Sequence, residues 1–354
     1  MRRDKSKINK DLTDDYLSNR LDEDNAEGKQ RFGQRSKHHS QSKTARTHAR
    51  REHERTDLDA MPIARVTEVH GLYCTIETPA SETPAGKTPA GKLLAIVPKT
   101  LQRILATRIV VGDSVRYSAS TAPEPGAPQA TVEAMLERKT ILCRADSFKA
   151  QRAWPIVANA DQMLIVASVV KPRIKWGLID RMIVAAQSGN LAPIICLNKV
   201  DLASDENPRE SIAEARERLA FYKTIGVENF ETSVINRTGL DALRAKLSNK
   251  ITVLAGHSGV GKSSLINSIC PSIDLKVGEV SIVTDKGRHT TTSARIYKLD
   301  DDAGEVIDTP GVKLFGLWNI NRAKLDELFE DVIDETAPDW RVESYERIVA
   351  SLKG

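Results

Sequence analysis

The chain has 354 residues, 40% hydrophobic and 28% charged, with a net charge of +4. That length suggests two or three domains, and the balance is ordinary for a soluble protein. No apolar run approaches the roughly 18 residues of a membrane span and the N-terminus has no apolar signal core, so a cytoplasmic protein is expected.

Residues 1–58 have almost no apolar side chains and cannot bury enough surface to fold alone. Between residues 29 and 55, Lys29, Arg31, Arg35, Lys37, Lys43, Arg46, Arg50, Arg51 and Arg55 are opposed only by Glu52 and Glu54. A disordered basic arm is expected, suited to binding phosphates by counterion release; a solubilising tail would look the same. Residues 59–140 read as short strands: two around a turn at Gly71 (63–77), then 93–97, 113–117 and 130–134. Five such strands suit an OB-fold barrel, whose open face commonly binds nucleic acid. The near-repeat T-P-A-G-K at 83–87 and 88–92 reads as a floppy loop insertion. Cys74, Cys143, Cys196 and Cys270 are too far apart for metal-ligand spacing and read as reduced core residues.

Residues 141–318 carry the chemistry. Leu191–Leu197 is an apolar strand, and at its carboxyl end stands Asn198-Lys199-Val200-Asp201. Asp201 can accept from the N1 and N2 donors of guanine, whereas adenine would leave that carboxylate unpaired, which argues for GTP over ATP. Residues 230–234 form another short apolar segment, in which Thr232 and Ser233 suit a loop supporting the base, and residues 238–243 open a helix. The β-branched run 251–255 reads as a buried strand and 263–269 as a helix. Between them lies Gly256-His257-Ser258-Gly259-Val260-Gly261-Lys262-Ser263-Ser264, a G-x4-G-K-S phosphate loop. Its glycines permit a turn whose N–H groups converge on phosphate at a helix N-terminus. Lys262 would reach the β- and γ-phosphates, and Ser263 would coordinate Mg²⁺.

Further on, Gly287–Thr292 holds three threonines, of which Thr291 or Thr292 is expected to close on Mg²⁺; taken alone, the run could equally be the entrance to a strand. Residues 305–307 read as a strand ending in Asp308-Thr309-Pro310-Gly311, where Asp308 would hold Mg²⁺ through water and the Gly311 N–H would sense the γ-phosphate. Ras-like GTPases place a water-orienting Gln after this motif, but here stands Val312, so intrinsic hydrolysis should be slow. His289 is the candidate within the chain for orienting water, although a histidine there could serve only to contact a partner or phosphate.

The order is base reader, base support, phosphate loop, switches, which is that of a circularly permuted G domain. The expected fold class is therefore α/β: a permuted P-loop GTPase domain preceded by a small OB-fold barrel. Permutation leaves a sheet and its site intact because termini lie at the surface. It also brings whatever follows the second switch close to γ-phosphate-dependent motion.

Together with Ala158–Gln162, Gly177–Arg181 and Phe315–Trp318, these motifs resemble the RsgA (YjeQ/YloQ) family of permuted GTPases over residues 61 to about 320. The resemblance implies GTP hydrolysis stimulated by the small ribosomal subunit during its late maturation, with rRNA bound through the barrel. The family's C-terminal zinc subdomain uses three cysteines and a histidine, yet no Cys or His follows His289. A four-ligand zinc site cannot be assembled from Thr290–Gly354. Residues 319–354 instead show helical periodicity over 322–333 and 342–352, and could pack on the G domain as a compact remnant. The expected cofactor is Mg²⁺ with GTP, the expected partners the small subunit and its rRNA, and the expected state a monomer. Two other readings fit parts of the pattern: a non-catalytic GTP-dependent RNA-binding scaffold, and a P-loop ATPase with an RNA-binding barrel.

Overall fold

The computed structural model describes residues 58–83, 86–88, 90–105, 107–120, 127–145, 153–203, 212–273, 275, 294–300, 304–309, 317 and 320–352. All but the last residue of the expected basic arm lies outside them.

The first unit runs β1 (Ile63–His70), β2 (Tyr73–Thr78), β3 (Ser81–Thr83), β4 (Gly86–Thr88), β5 (Gly91–Ile96), α1 (Lys99–Ile104), β6 (Ser114–Ala119) and β7 (Ala130–Met135). Five of these strands close into a barrel in the order β1-β2-β5-β7-β6, with β5 and β7 as its parallel pair. Side chains alternate across a strand, so one set points inward. Val66, Cys74, Ile76, Val115 and Val132 are that set, each fully buried. The expected five strands and OB-like barrel are thus present. The near-repeat departs from expectation: β3 and β4 pair antiparallel, Ser81 with Thr88 and Thr83 with Gly86, so it is a short hairpin rather than a floppy loop. Thr83 and Thr88 are β-branched residues of the kind a strand favours.

The second unit begins with the hairpin β8 (Ile141–Ala145) and β9 (Ala153–Ala158). It continues through β10 (Gln162–Ser168), α2 (Trp176–Ser188), β11 (Ala192–Asn198), α3 (Ala213–Thr224), β12 (Glu228–Thr232), α4 (Leu240–Leu247), β13 (Ile251–Ala255), α5 (Lys262–Ile269), β14 (Arg295–Lys298) and β15 (Glu305–Asp308). The sheet order is β12-β11-β10-β13-β15-β14, parallel except for β14. Helices cover both faces. Ile165, Ile195 and Val253 pack with α2 and α3, while Leu164, Ile194 and Leu254 pack with α4 and α5. β10 is consequently buried along its whole length, as a central parallel strand must be. The chain leaves β10 toward β11 and leaves β13 toward β15, so β10 and β13 flank the topological switch point where open α/β sheets bind ligands.

Residues 158–162 join the two units. Asn159, at φ +54°, donates from Nδ2 to Gly112 O (2.9 Å) and accepts from Lys139 N (2.9 Å). Asp161 accepts from Ile251 N at 2.7 Å. A Cβ on Gly112 would lie 1.9 Å from Ala158 O, so this approach of barrel to G domain requires glycine.

Three helices end the described chain: α6 (Arg322–Leu328), α7 (Glu330–Ile333) and α8 (Asp339–Leu352). The single helix expected over 322–333 breaks at Phe329, whose ring is fully buried against Leu325, Tyr345 and Ile348. Asn321 caps α6 by accepting from Lys324 N at 2.8 Å. These helices pack on α2 around a buried polar cluster. Asp180 of α2 accepts from Arg341 Nη1 (2.7 Å), Tyr222 OH (2.6 Å) and Ser344 Oγ. The Arg341 guanidinium also reaches Asp331 and lies 3.8 Å from the Phe329 ring centre. Asp180 and Arg341 are essentially inaccessible to solvent, so each charge depends on the other.

Candidate functional site

β13 ends at Ala255 and α5 starts at Lys262, leaving the glycine-rich segment to turn between them. Gly256, Gly259 and Gly261 take φ of +137°, +83° and +93°, a region that L side chains rarely adopt. Space is equally restrictive. A Cβ on Gly256 would meet Val166 O at 2.2 Å, and one on Gly261 would meet Asn198 Nδ2 at 2.6 Å. Lys262 Nζ donates to Gly256 O (2.9 Å) and His257 O (3.1 Å), and the His257 imidazole donates from Nδ1 to Ser258 O at 2.9 Å. Burial pulls the Lys262 ammonium below its usual range despite the neighbouring Asp308. Burial likewise pushes the Asp308 carboxyl up, against the opposing pull of Lys262 and the Thr309 N–H. Two partly desolvated, opposite charges thus face each other where a charged ligand would complete the site.

The segment Asn198–Asp201, expected to read the base, lies against this loop. Asn198 ends β11, fully buried, and donates from Nδ2 to Val260 O at 3.0 Å. Its Oδ1 accepts from Thr232 Oγ1 at 3.1 Å, and Thr232 in turn contacts Cys196 Sγ at 3.2 Å. Lys199, left-handed at φ +61°, donates from Nζ to Gly259 O (2.5 Å) and Lys171 O (2.6 Å). Val200 and Asp201 enter a short 3₁₀ turn, and Ser233 Oγ donates to Asp201 Oδ1 at 2.5 Å. Asn198–Asp201, Thr232–Ser233 and Gly256–Ser264 are therefore one assembly at the carboxyl end of the sheet. Thr232 acts one step back from the expected place, holding Asn198.

Asp308 ends β15, beside β13, and Thr309 Oγ1 donates to Leu254 O at 3.3 Å. Ser263 sits in the first turn of α5. His289, Thr291, Thr292, Gly311 and Val312 lie outside the described residues. A half-buried carboxylate at the end of β15 and a hydroxyl in the first turn of α5 are the donor types that a hard, oxygen-preferring cation such as Mg²⁺ takes. Next to the loop, a small half-open pocket is lined by Ile165, Ser168, Arg173, Lys175, Leu178 and His257, among others. The buried Ser168 hydroxyl has no hydrogen-bond partner among the described residues.

Several supporting groups escape sequence reasoning. Lys171 O and Val260 O are backbone acceptors without a sequence signal. Cys196 lies two residues before Asn198 and so shares its strand face, which was a usable signal. Asp180 was another: a lone carboxylate among Ile179, Met182 and Ile183, at positions that a helix buries together.

A parallel sheet whose phosphate loop follows the base reader defines a circularly permuted P-loop GTPase fold. Among solved structures, YjeQ from Thermotoga maritima matches with a TM-score of 0.57 and 26% identity, over 83% of this chain and 99% of that one. YloQ, a circularly permuted GTPase, matches in fold with a TM-score of 0.57 at 20% identity, over 84% and 96% of the two chains. The RsgA GTPase family model matches residues 135–318, and the chain belongs to that family. The small ribosomal subunit biogenesis GTPase RsgA 1 of Vibrio vulnificus is 37% identical over 62% of this chain, and RsgA of Mannheimia succiniciproducens is 38% identical over 64%. The matches span 60% and 61% of those relatives' own lengths.

Proposed function

We propose that the chain is a Mg²⁺-dependent GTPase that assists maturation of the small ribosomal subunit in the cytoplasm. The observation that carries this reading is the joining of base reader to phosphate loop through Asn198 Nδ2 to Val260 O and Lys199 Nζ to Gly259 O. The names of the relatives supply the biological setting. The Asp201 carboxylate, oriented by Ser233, accepts from the guanine N–H donors. The loop amides and Lys262 hold the phosphates, for which Lys262 leaves the carbonyls it now occupies. Ser263, Asp308 and Thr291 or Thr292 would hold Mg²⁺, which when bound offsets the charge that develops on the phosphate oxygens. The loop amides and Lys262 stabilise the same charge from fixed positions. Val312 cannot orient water, so the reading assigns that role to His289 or to a group brought by the subunit. The barrel and the basic arm bind rRNA in the GTP state, and hydrolysis releases the protein, acting as a monomer.

The test is GTP turnover by the purified chain, alone and with isolated small subunits, large subunits or bare rRNA, with Lys262→Ala as background. Stimulation by small subunits alone is the expected result. GTP binding without turnover under every condition would overturn the enzymatic part and leave a GTP-dependent scaffold, with Val312 as its cause. Replacing Asp201 with Asn separates an ATPase: GTP affinity should fall at least about tenfold, the scale of one lost charged hydrogen bond, with ATP binding unchanged.

A further inference from the structure

The barrel is fastened to the G domain by ion pairs that converge on β14 and β15. Arg65 of β1 grips Glu305 of β15 with both terminal nitrogens, Nη2 to Oε1 at 2.6 Å and Nη1 to Oε2. The same guanidinium reaches Glu77 of β2 at 2.8 Å, whose other oxygen pairs with Lys298 of β14 at 2.6 Å. Arg295 of β14 pairs with Glu68 of β1 at 3.2 Å. Three cations thus meet three carboxylates. Arg65, Glu77 and Glu305 keep only 26%, 18% and 16% of their side-chain surface exposed, so solvent screens the attraction less than at an open surface. A two-pronged guanidinium–carboxylate contact also fixes orientation.

The strands so gripped lead directly into the nucleotide site. β15 ends in Asp308, and Arg295 stands opposite Asp308 in the antiparallel register, with Lys298 opposite Glu305. The turn end of this hairpin is held independently. Glu305 N donates to Lys250 O at 2.8 Å, and a Cβ on Gly304 would come within 2.3 Å of Leu247 O. With the turn held and the barrel attached along the strands, displacement at the Asp308 end has to be shared with β1 and β2.

We propose that Arg65 is a positioning residue for the nucleotide site, acting through Glu305 so that the nucleotide held by the loop and the partner held by the barrel each bias the other. This rests on the GTPase reading above and assigns that site's regulation to the barrel. The coupling is reciprocal by linkage: a nucleotide that shifts β15 alters the barrel, and an RNA docked on the barrel alters Asp308.

The experiment uses the full chain, its Arg65→Gln and Glu305→Gln variants, and the double variant. Amide hydrogen exchange of β1 and β2 is compared between the Mg²⁺·GTPγS and Mg²⁺·GDP states, and GTP turnover is measured alone and with saturating small subunits. Expected is a nucleotide-dependent change in β1–β2 protection that vanishes in Arg65→Gln. Partner-free turnover of Arg65→Gln should stay within about twofold while stimulation falls about tenfold, a coupling of ordinary allosteric size. The double variant should be no worse than either single one, because both remove one connection. A barrel whose exchange is the same in both nucleotide states, or an Arg65→Gln protein that keeps both the nucleotide response and the stimulation, would overturn the proposal. If no ribosomal particle stimulates the parent protein, the maturation reading falls, and the exchange comparison still decides the coupling.

Discussion

Asp308 and Lys262 carry their charges at a cost to the ligand-free protein. Burial raises the Asp308 carboxyl above the value near 4 of an unfolded chain, so the folded state prefers it protonated. Stability is then lost as pH rises through that unfolded value and levels off above the raised folded one. Asp308→Asn mimics the protonated form at every pH. Without nucleotide and Mg²⁺, the variant should melt higher than the parent at pH 7, with the difference closing toward about pH 4, while its Mg²⁺·GTP affinity falls. Thermal melts over that pH range check this, and a parent that is the more stable at pH 7 would refute it. The grouping of Asn198–Asp201, Thr232–Ser233 and Gly256–Ser264 at one end of the sheet was legible because phosphate and guanine chemistry would demand particular residue types in a fixed run. Their supports were not, since Val260 O and Lys171 O belong to a backbone that every sequence has.

At the scale of elements, the C-terminal helices are held to α2 by the buried Asp180–Arg341 pair as well as by apolar contact. Asp180→Ala leaves the buried guanidinium with Asp331 as its remaining carboxylate partner and should cost about 3 kcal/mol in urea denaturation. The triple replacement Asp180→Leu, Arg341→Met and Asp331→Asn leaves no member of the cluster charged without a partner and should cost less than Asp180→Ala alone. A triple variant weaker than the single would mean that the cluster contributes net attraction. Element existence was readable wherever one period dominated, as in the alternating barrel strands or the apolar run into Asn198. It failed where tertiary packing intervened. Residues 322–333 keep helical spacing through Phe329, yet burying that ring against Tyr345 and Ile348 requires the chain to turn, and α6 ends there. The β3–β4 hairpin was missed because Pro and Gly spaced through the repeat read as breakers, whereas Gly86 itself lies in β4, paired with Thr83.

For the whole molecule, the contact between Gly112 and Ala158 O tests whether barrel and G domain unfold as one. Gly112→Ala would place a methyl carbon 1.9 Å from that oxygen, so calorimetry should resolve two transitions where the parent shows one, with guanine nucleotide affinity retained. A single unshifted transition would show that the joint tolerates the methyl. The joint was invisible from sequence, because nothing in the run around Gly112 announces a neighbour 46 positions further along. The contact made by Lys199 with Gly259 O reaches further. On the proposed reading it ties the guanine-reading segment to the phosphate loop, so a nucleotide engages both ends in a single event and the entropy of aligning them is already lost on folding. Guanosine alone and pyrophosphate alone each use half of this assembly and should bind weakly, while the molecule that joins them gains from both without further ordering. On that reading, preference for the base and preference for the number of phosphates are not separable quantities in this protein.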